Sequence, residues 1–135
     1  MQWGEAMHIT LESDYAVRIV HALTVANARM DARTIAEVTG VSMRFSLKIL
    51  RKLVQSDIVR SYKGTHGGYQ LNRDPQDISL ADVIGAVEGV YSFSRCLSPG
   101  FECNCNEEGC SFQKIYDEIS EMVRDKLESV KFSDV

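Results

Sequence analysis

The sequence predicts a mostly α-helical fold that carries one small β-hairpin and ends in a long helix. Three observations predict it. Apolar side chains recur at helical spacing along most of the chain, two short glycine-joined strands interrupt them at 58–72, and the last periodic stretch runs from Cys110 to Val130. With 44% hydrophobic and 25% charged residues over 135 positions, the composition suits one globular domain or a small domain with an appended element. No apolar run is long enough to span a membrane and the start does not resemble a signal peptide, so a cytoplasmic protein is expected. The opening MQWGEA is unlike the residues after it, and the domain is read from Met7.

The first helix is placed at 11–27, where Leu11, Tyr15, Ile19, Ala22, Leu23 and Ala26 share a face and Ser13 and Asp14 stand near the N-terminal end. A short helix at 32–39 comes next, then a turn at Gly40–Val41, then a helix from Ser42 to about Gln55. Ser42 is the expected N-cap, since its hydroxyl can accept an amide hydrogen bond left over at a helix start. Residues 58–72 (IVRSYKGTHGGYQLN) read as two strands around a glycine-rich tip. Asp74-Pro75 punctuates the exit, and SLADVIGAVEG forms a helix ending near Gly89. Residues 91–109 lack a period and read as a loop. From Cys110, the positions Phe112, Ile115, Ile119, Met122, Val123, Leu127 and Val130 return to helical spacing.

Helix, turn, helix and hairpin in that order make a winged helix–turn–helix. Charge agrees with a nucleic-acid partner once it is divided by region. The formal net charge is −4, yet Arg29 to Arg73 holds nine Lys/Arg against three Asp/Glu, a local +6, and the remainder carries −10. In the second helix of the motif, Val41, Phe45, Ile49 and Leu53 are expected to form the buried stripe. Ser42, Arg44, Lys48, Arg51 and Lys52 lie off it. Arg44 and Lys48 share a face and suit base edges or phosphates in a major groove, whereas Arg51 and Lys52 suit backbone phosphate. At the wing tip, Lys63 is placed to enter a minor groove, with His66 beside it. The bland reading is a basic amphipathic helix that solvates itself. A winged-helix module that binds protein alone is the other alternative.

All four cysteines, Cys96, Cys103, Cys105 and Cys110, fall within fifteen residues. Clustered thiols in a cytoplasmic chain point to metal or redox chemistry. Iron–sulfur clusters need thiolates on a pliable loop. A tetrahedral zinc site and a bare thiol switch stay open beside that reading, although the C-x-x-C knuckle common in zinc sites is missing. An enzyme is not expected: there is no G-x-S-x-G, no dinucleotide fingerprint and no H-E-x-x-H, and His8, His21 and His66 are scattered.

Several segments together resemble the Rrf-type regulators, the group that includes IscR, NsrR and CymR. They are S-D-Y-A-V-R (13–18), I-A-E-V-T-G-V-S (35–42), K-I-L-R-K-L (48–53), G-T-H-G-G-Y (64–69) and I-S-L-A-D-V-I-G-A-V-E-G (78–89), with the cysteine segment after them. The resemblance runs from Met7 to Val135. It implies a bacterial homodimeric repressor or activator that binds a double-stranded DNA operator. It also implies a 2Fe-2S or 4Fe-4S cluster on Cys96, Cys103 and Cys110, sensing iron, redox state or nitric oxide. For the fourth ligand it offers Asp14 from the partner subunit, with Cys105 as the rival; Gln113 stands where some members have a histidine. One departure is Ser46, at a position usually apolar, where Leu47 is expected to take over the packing. The implied organisation is a DNA-binding domain at 7–90, a cluster loop at 91–109, and a dimerisation helix with tail at 110–135. The dimer contact is expected at Ile115, Ile119, Met122 and Val123.

Overall fold

The computed structural model describes residues 8–102 and 110–135. In chain order the elements are α1 (Leu11–Ala26), α2 (Ala32–Thr39), α3 (Met43–Gln55), β1 (Val59–Tyr62), β2 (Gly68–Leu71), α4 (Leu80–Glu88) and α5 (Ser111–Ser129). Short 3₁₀ turns lie at Pro75–Asp77, Arg95–Leu97 and Phe132–Asp134.

Local capping chemistry sets most of these boundaries. Thr10 caps α1 by accepting from the Ser13 amide at 3.2 Å, and Asn27 ends that helix in the left-handed region. Asp31 caps α2 by accepting from the Thr34 amide at 2.7 Å; that hydrogen bond holds its carboxyl below the ordinary aspartate range. Gly40, at φ 71°, makes the turn into α3. Ser42 caps α3 as expected, accepting from the Phe45 amide at 3.3 Å. Ser79 and Asp82 form a reciprocal capping box at the start of α4.

Helix α1 packs against α2, α3 and α4. Its Ala16, Ile19, Val20 and Leu23 meet Ile35, Ile49, Leu50 and Leu53 in a single apolar core that includes Ile78 and Val83. Leu11, expected on that face, is 59% exposed. The buried residue of that first turn is Ser13.

Two expectations for α3 are corrected. Phe45 is 44% exposed and Leu47 41% exposed, while Ser46 and Leu50 are fully buried with Ile49 and Leu53. Positions 46, 49, 50 and 53 follow the i, i+3, i+4, i+7 pattern of a true helical face, whereas a stripe taken only every fourth residue drifts around the helix. Ser46 therefore faces the core itself. Its hydroxyl lies 3.5 Å from the Val41 carbonyl, which gives the buried oxygen a partner.

The wing is antiparallel, with Val59 opposite Leu71 and Tyr62 opposite Gly68. Its outer edge is paired to the loop before α2. Met30 and Tyr69 exchange backbone hydrogen bonds of 2.8 and 2.7 Å. Gly68 is needed there, at φ 146°, because a Cβ would sit 2.7 Å from the Met30 oxygen.

The C-terminal tail is a structural element in its own right. Helix α5 ends at Ser129, and Val130 is already extended. The chain then doubles back on the start of α4: the Leu80 amide donates to Val130 and the Phe132 amide to Ile78, each at 3.0 Å. Phe132 is 1% exposed and belongs to the core. Phe132→Ala is expected to destabilise the fold by about 3–5 kcal/mol. The measurement is a urea denaturation midpoint, and a midpoint equal to wild type would contradict the placement of this ring.

Candidate nucleic-acid interface and cysteine site

Burying one side of α3 turns the other side outward. Arg44, Phe45, Leu47, Lys48 and Arg51 line a shallow hollow on the surface. Ser42 stands exposed at its N-terminal end. Arg44 and Lys48 lie one turn apart, as the spacing predicts, and Arg51 continues the row. Lys52 sits differently. Its Nζ lies 2.8 Å from Oε1 of Glu12 on α1 and 3.4 Å from the Val87 carbonyl in the last turn of α4. Lys48 Nζ stands 3.9 Å from the same Glu12 oxygen, with a side chain 57% exposed.

The wing tip carries Lys63 and His66, both exposed. A residue that sequence reasoning passed over fixes this tip. The Arg29 guanidinium lies 3.4 Å from the Tyr62 ring centroid, and its Nη1 donates to the His66 carbonyl at 2.7 Å. Arg29 was visible in sequence only as one charge of the basic segment. A contact spanning 37 positions leaves no periodic signal.

Residues after α4 are fastened to α5. The Phe93 amide donates to Ser120 Oγ at 2.8 Å, and Arg124 Nη1 to the Tyr91 carbonyl at 2.9 Å. The Phe93 and Tyr116 rings lie 5.3 Å apart. Gln113 Nε2 donates to the Cys96 carbonyl at 3.4 Å. Gln113 is one turn into α5 from Cys110, so this bond brings the two cysteine-bearing segments together. Cys96 and Cys110 are half-buried free thiols, and the Cys110 side chain makes no capping bond to α5. Cys96 lies on the wall of an open cleft of about 760 Å³ between residues 90–99 and α5. Cys103 and Cys105 lie outside the described residues. Asp14, on α1, pairs with Arg18 at 2.8 Å. Among the described residues no three His, Cys, Asp or Glu side chains gather, and no helix is long and apolar enough to cross a membrane.

A helix–turn–helix with an outward basic face and an anchored β-wing defines a winged-helix DNA-binding protein, a class built for transcription control. Residues 9–135 match the family model Rrf2, described as an iron-dependent transcriptional regulator, and the chain belongs to that family. Its members are transcriptional regulators rather than enzymes. Among curated relatives, protein aau3 of Rhizobium meliloti is 34% identical over 101 residues, covering 73% of this chain and 64% of that protein. The chain thus spans under two thirds of that relative's length. Among solved structures, T. potens IscR superposes with a TM-score of 0.77 at 20% identity, covering 96% of this chain and 85% of the other. CymR, the global cysteine regulator of B. subtilis, gives 0.77 at 23% identity, covering 96% and 95%. At such identity the two structures speak to the fold alone.

Proposed function

We propose that two copies of this chain form a cytoplasmic homodimer that binds a pseudo-palindromic DNA operator and senses iron, redox state or nitric oxide through an iron–sulfur cluster. Residues 7–90 read DNA, 91–109 carry the cluster, and 110–135 join the subunits. The observation that carries this reading is the exposed row of Arg44, Lys48 and Arg51 on a helix whose opposite side is fully buried. Such a helix can enter a major groove without disturbing its own core. Arg44 and Lys48 address base edges or phosphates, Ser42 and Arg51 the backbone, and Lys63 with His66 the flanking minor groove. The Arg29 clamp supports the wing's part, because a tip held in place loses less freedom on binding.

The cysteine region fits a cluster by the chemistry of its donors. Cys96 and Cys110 are free thiols on two segments joined by the Gln113 bond, with an open cleft beside Cys96. They would hold the cluster with Cys103, and with Asp14 or Cys105 as fourth ligand. The cluster supplies a centre whose assembly and loss follow iron and oxidants. The chain's own part is to pass a rearrangement of residues 91–102 onward. Tyr91 and Phe93 are tied to α5, and Val87, just before them, receives Lys52 of α3. A shift of ~1–3 kcal/mol in DNA affinity between the two states is enough for signalling.

Arg44→Ala and Lys48→Ala are each expected to weaken operator binding, by about 1–3 kcal/mol where the contact is a good base pairing. Lys63→Ala is expected to flatten the logarithmic salt dependence by about 0.9 for each phosphate it no longer neutralises. Electrophoretic retardation at several salt concentrations measures both. Wild-type behaviour in all three variants would overturn the assignment of α3 and the wing.

A further inference from the structure

Glu12 is an acidic side chain set beside the basic recognition helix. It is 22% exposed, lies 2.8 Å from Lys52 Nζ, and lies 3.9 Å from Lys48 Nζ. The first turn of α1 that carries it is fixed: Thr10 caps the helix and its hydroxyl donates to the Glu88 carboxylate at the end of α4. Lys52 is answered from two sides, by Glu12 and by the Val87 carbonyl, one of the last-turn carbonyls that a helix leaves without a partner. That pattern makes Lys52 a strut between α1, α3 and α4. Lys48 differs, because it is the more exposed of the two and the Glu12 oxygen is its weaker contact.

We propose that Glu12 is a positioning residue, a built-in counter-charge that holds Lys52 inward and competes with DNA phosphate for Lys48. The inference rests on α3 being the DNA-reading helix. Phosphate attraction is independent of sequence, whereas base contacts carry the specificity. A carboxylate beside Lys48 therefore weakens binding to any duplex while leaving Arg44 free to read bases. Its effect is to raise the ratio of specific to non-specific binding, which is the quantity that counts among many competing sites.

The test uses a fluorescent random-sequence duplex and anisotropy at several salt concentrations. Glu12→Gln keeps the shape and removes the charge. It is expected to tighten binding roughly two- to fivefold per half-site, the range of an exposed ion pair, and to steepen the salt dependence. In a Lys48→Met background the same substitution is expected to change binding far less, since the Lys48 contact is gone while the Val87 carbonyl still holds Lys52. Equal tightening in both backgrounds would mean a general charge effect and would overturn the proposal, as would no tightening at all. Arg51→Ala, which removes a phosphate contact of the same helix, separates the two layers on this duplex. If it weakens binding while Glu12→Gln does nothing, the counter-charge idea alone fails; if Arg51→Ala is also silent, the reading of α3 fails with it. Should Glu12→Gln not fold, Glu12→Asp keeps the charge but draws it back by one methylene. Isotope-labelled dimethyl-lysine spectra of the DNA-free protein then report on Lys48 directly. An unmoved Lys48 resonance in that variant would refute the contact.

Discussion

Prepared without oxygen, the protein is expected to be brown and to contain iron and sulfide in comparable amounts. Cys96→Ala, Cys103→Ala and Cys110→Ala are each expected to abolish the colour. Removing any one thiolate leaves an iron with an open position and a cluster that water can dismantle. The fourth ligand is decided by two further variants. Loss of Asp14 alters the spectrum and speeds decay if the carboxylate binds iron, while Cys105→Ala then changes little; the reverse assigns the role to Cys105. Asp14 is already paired with Arg18 at 2.8 Å, but an exposed pair four residues apart on a helix is worth only about 0.3–0.5 kcal/mol. Releasing it is a small obstacle beside a bond to iron. With Asp14 reaching across the dimer, mixing Asp14→Ala and Cys96→Ala subunits restores at most one of the two sites. A colourless protein that takes up stoichiometric zinc in the same preparation would sink the iron–sulfur reading.

Subunit association is expected to fail when charge is placed on the outer face of α5. In that helix Ser120 is the fully buried residue, while Phe112, Ile115 and Met122 are 65%, 49% and 71% exposed. A long helix with a bare apolar row is the seam expected for a symmetric partner. Ile119 and Val123, also expected there, are already half-buried within their own chain, so changing them would disturb the monomer as well. Ile115→Glu with Met122→Glu is the cleaner variant. These positions are seven apart, on one face, and carboxylates there would be buried unpaired in the contact. Light scattering is expected to show a monomer, and operator affinity is expected to fall by roughly 10²–10⁴ as the second half-site no longer benefits from the first. A variant that remains dimeric would exclude α5 as the interface.

Cysteine spacing, the Ser42 cap, the Gly40 turn and the glycine-rich wing are local signals. Residues within a few positions of one another decide them, and α2, α3 and the hairpin form where those signals put them. The row of Arg44, Lys48 and Arg51 was legible for the same reason, since helical spacing alone sets which residues share a face.

What only the tertiary structure decided are contacts between distant segments and the rotation of each helix about its axis. Sequence spacing admitted Phe45 to the buried stripe of α3. Packing against α1 and α2 placed Ser46 there and left Phe45 against Tyr15 at the surface, with ring centroids 6.0 Å apart. Lys52 read in sequence as one more basic side chain of α3, and its ion pair with Glu12, far earlier in the chain, appeared only in the folded molecule. Phe132 looked like part of a tail until the chain doubled back on α4. Arg29 looked like one more positive charge until it closed over Tyr62. Successive side chains on a helix differ in direction by about 100°, so periodicity identifies a face without fixing which partner it meets. Only the assembled core supplies that partner.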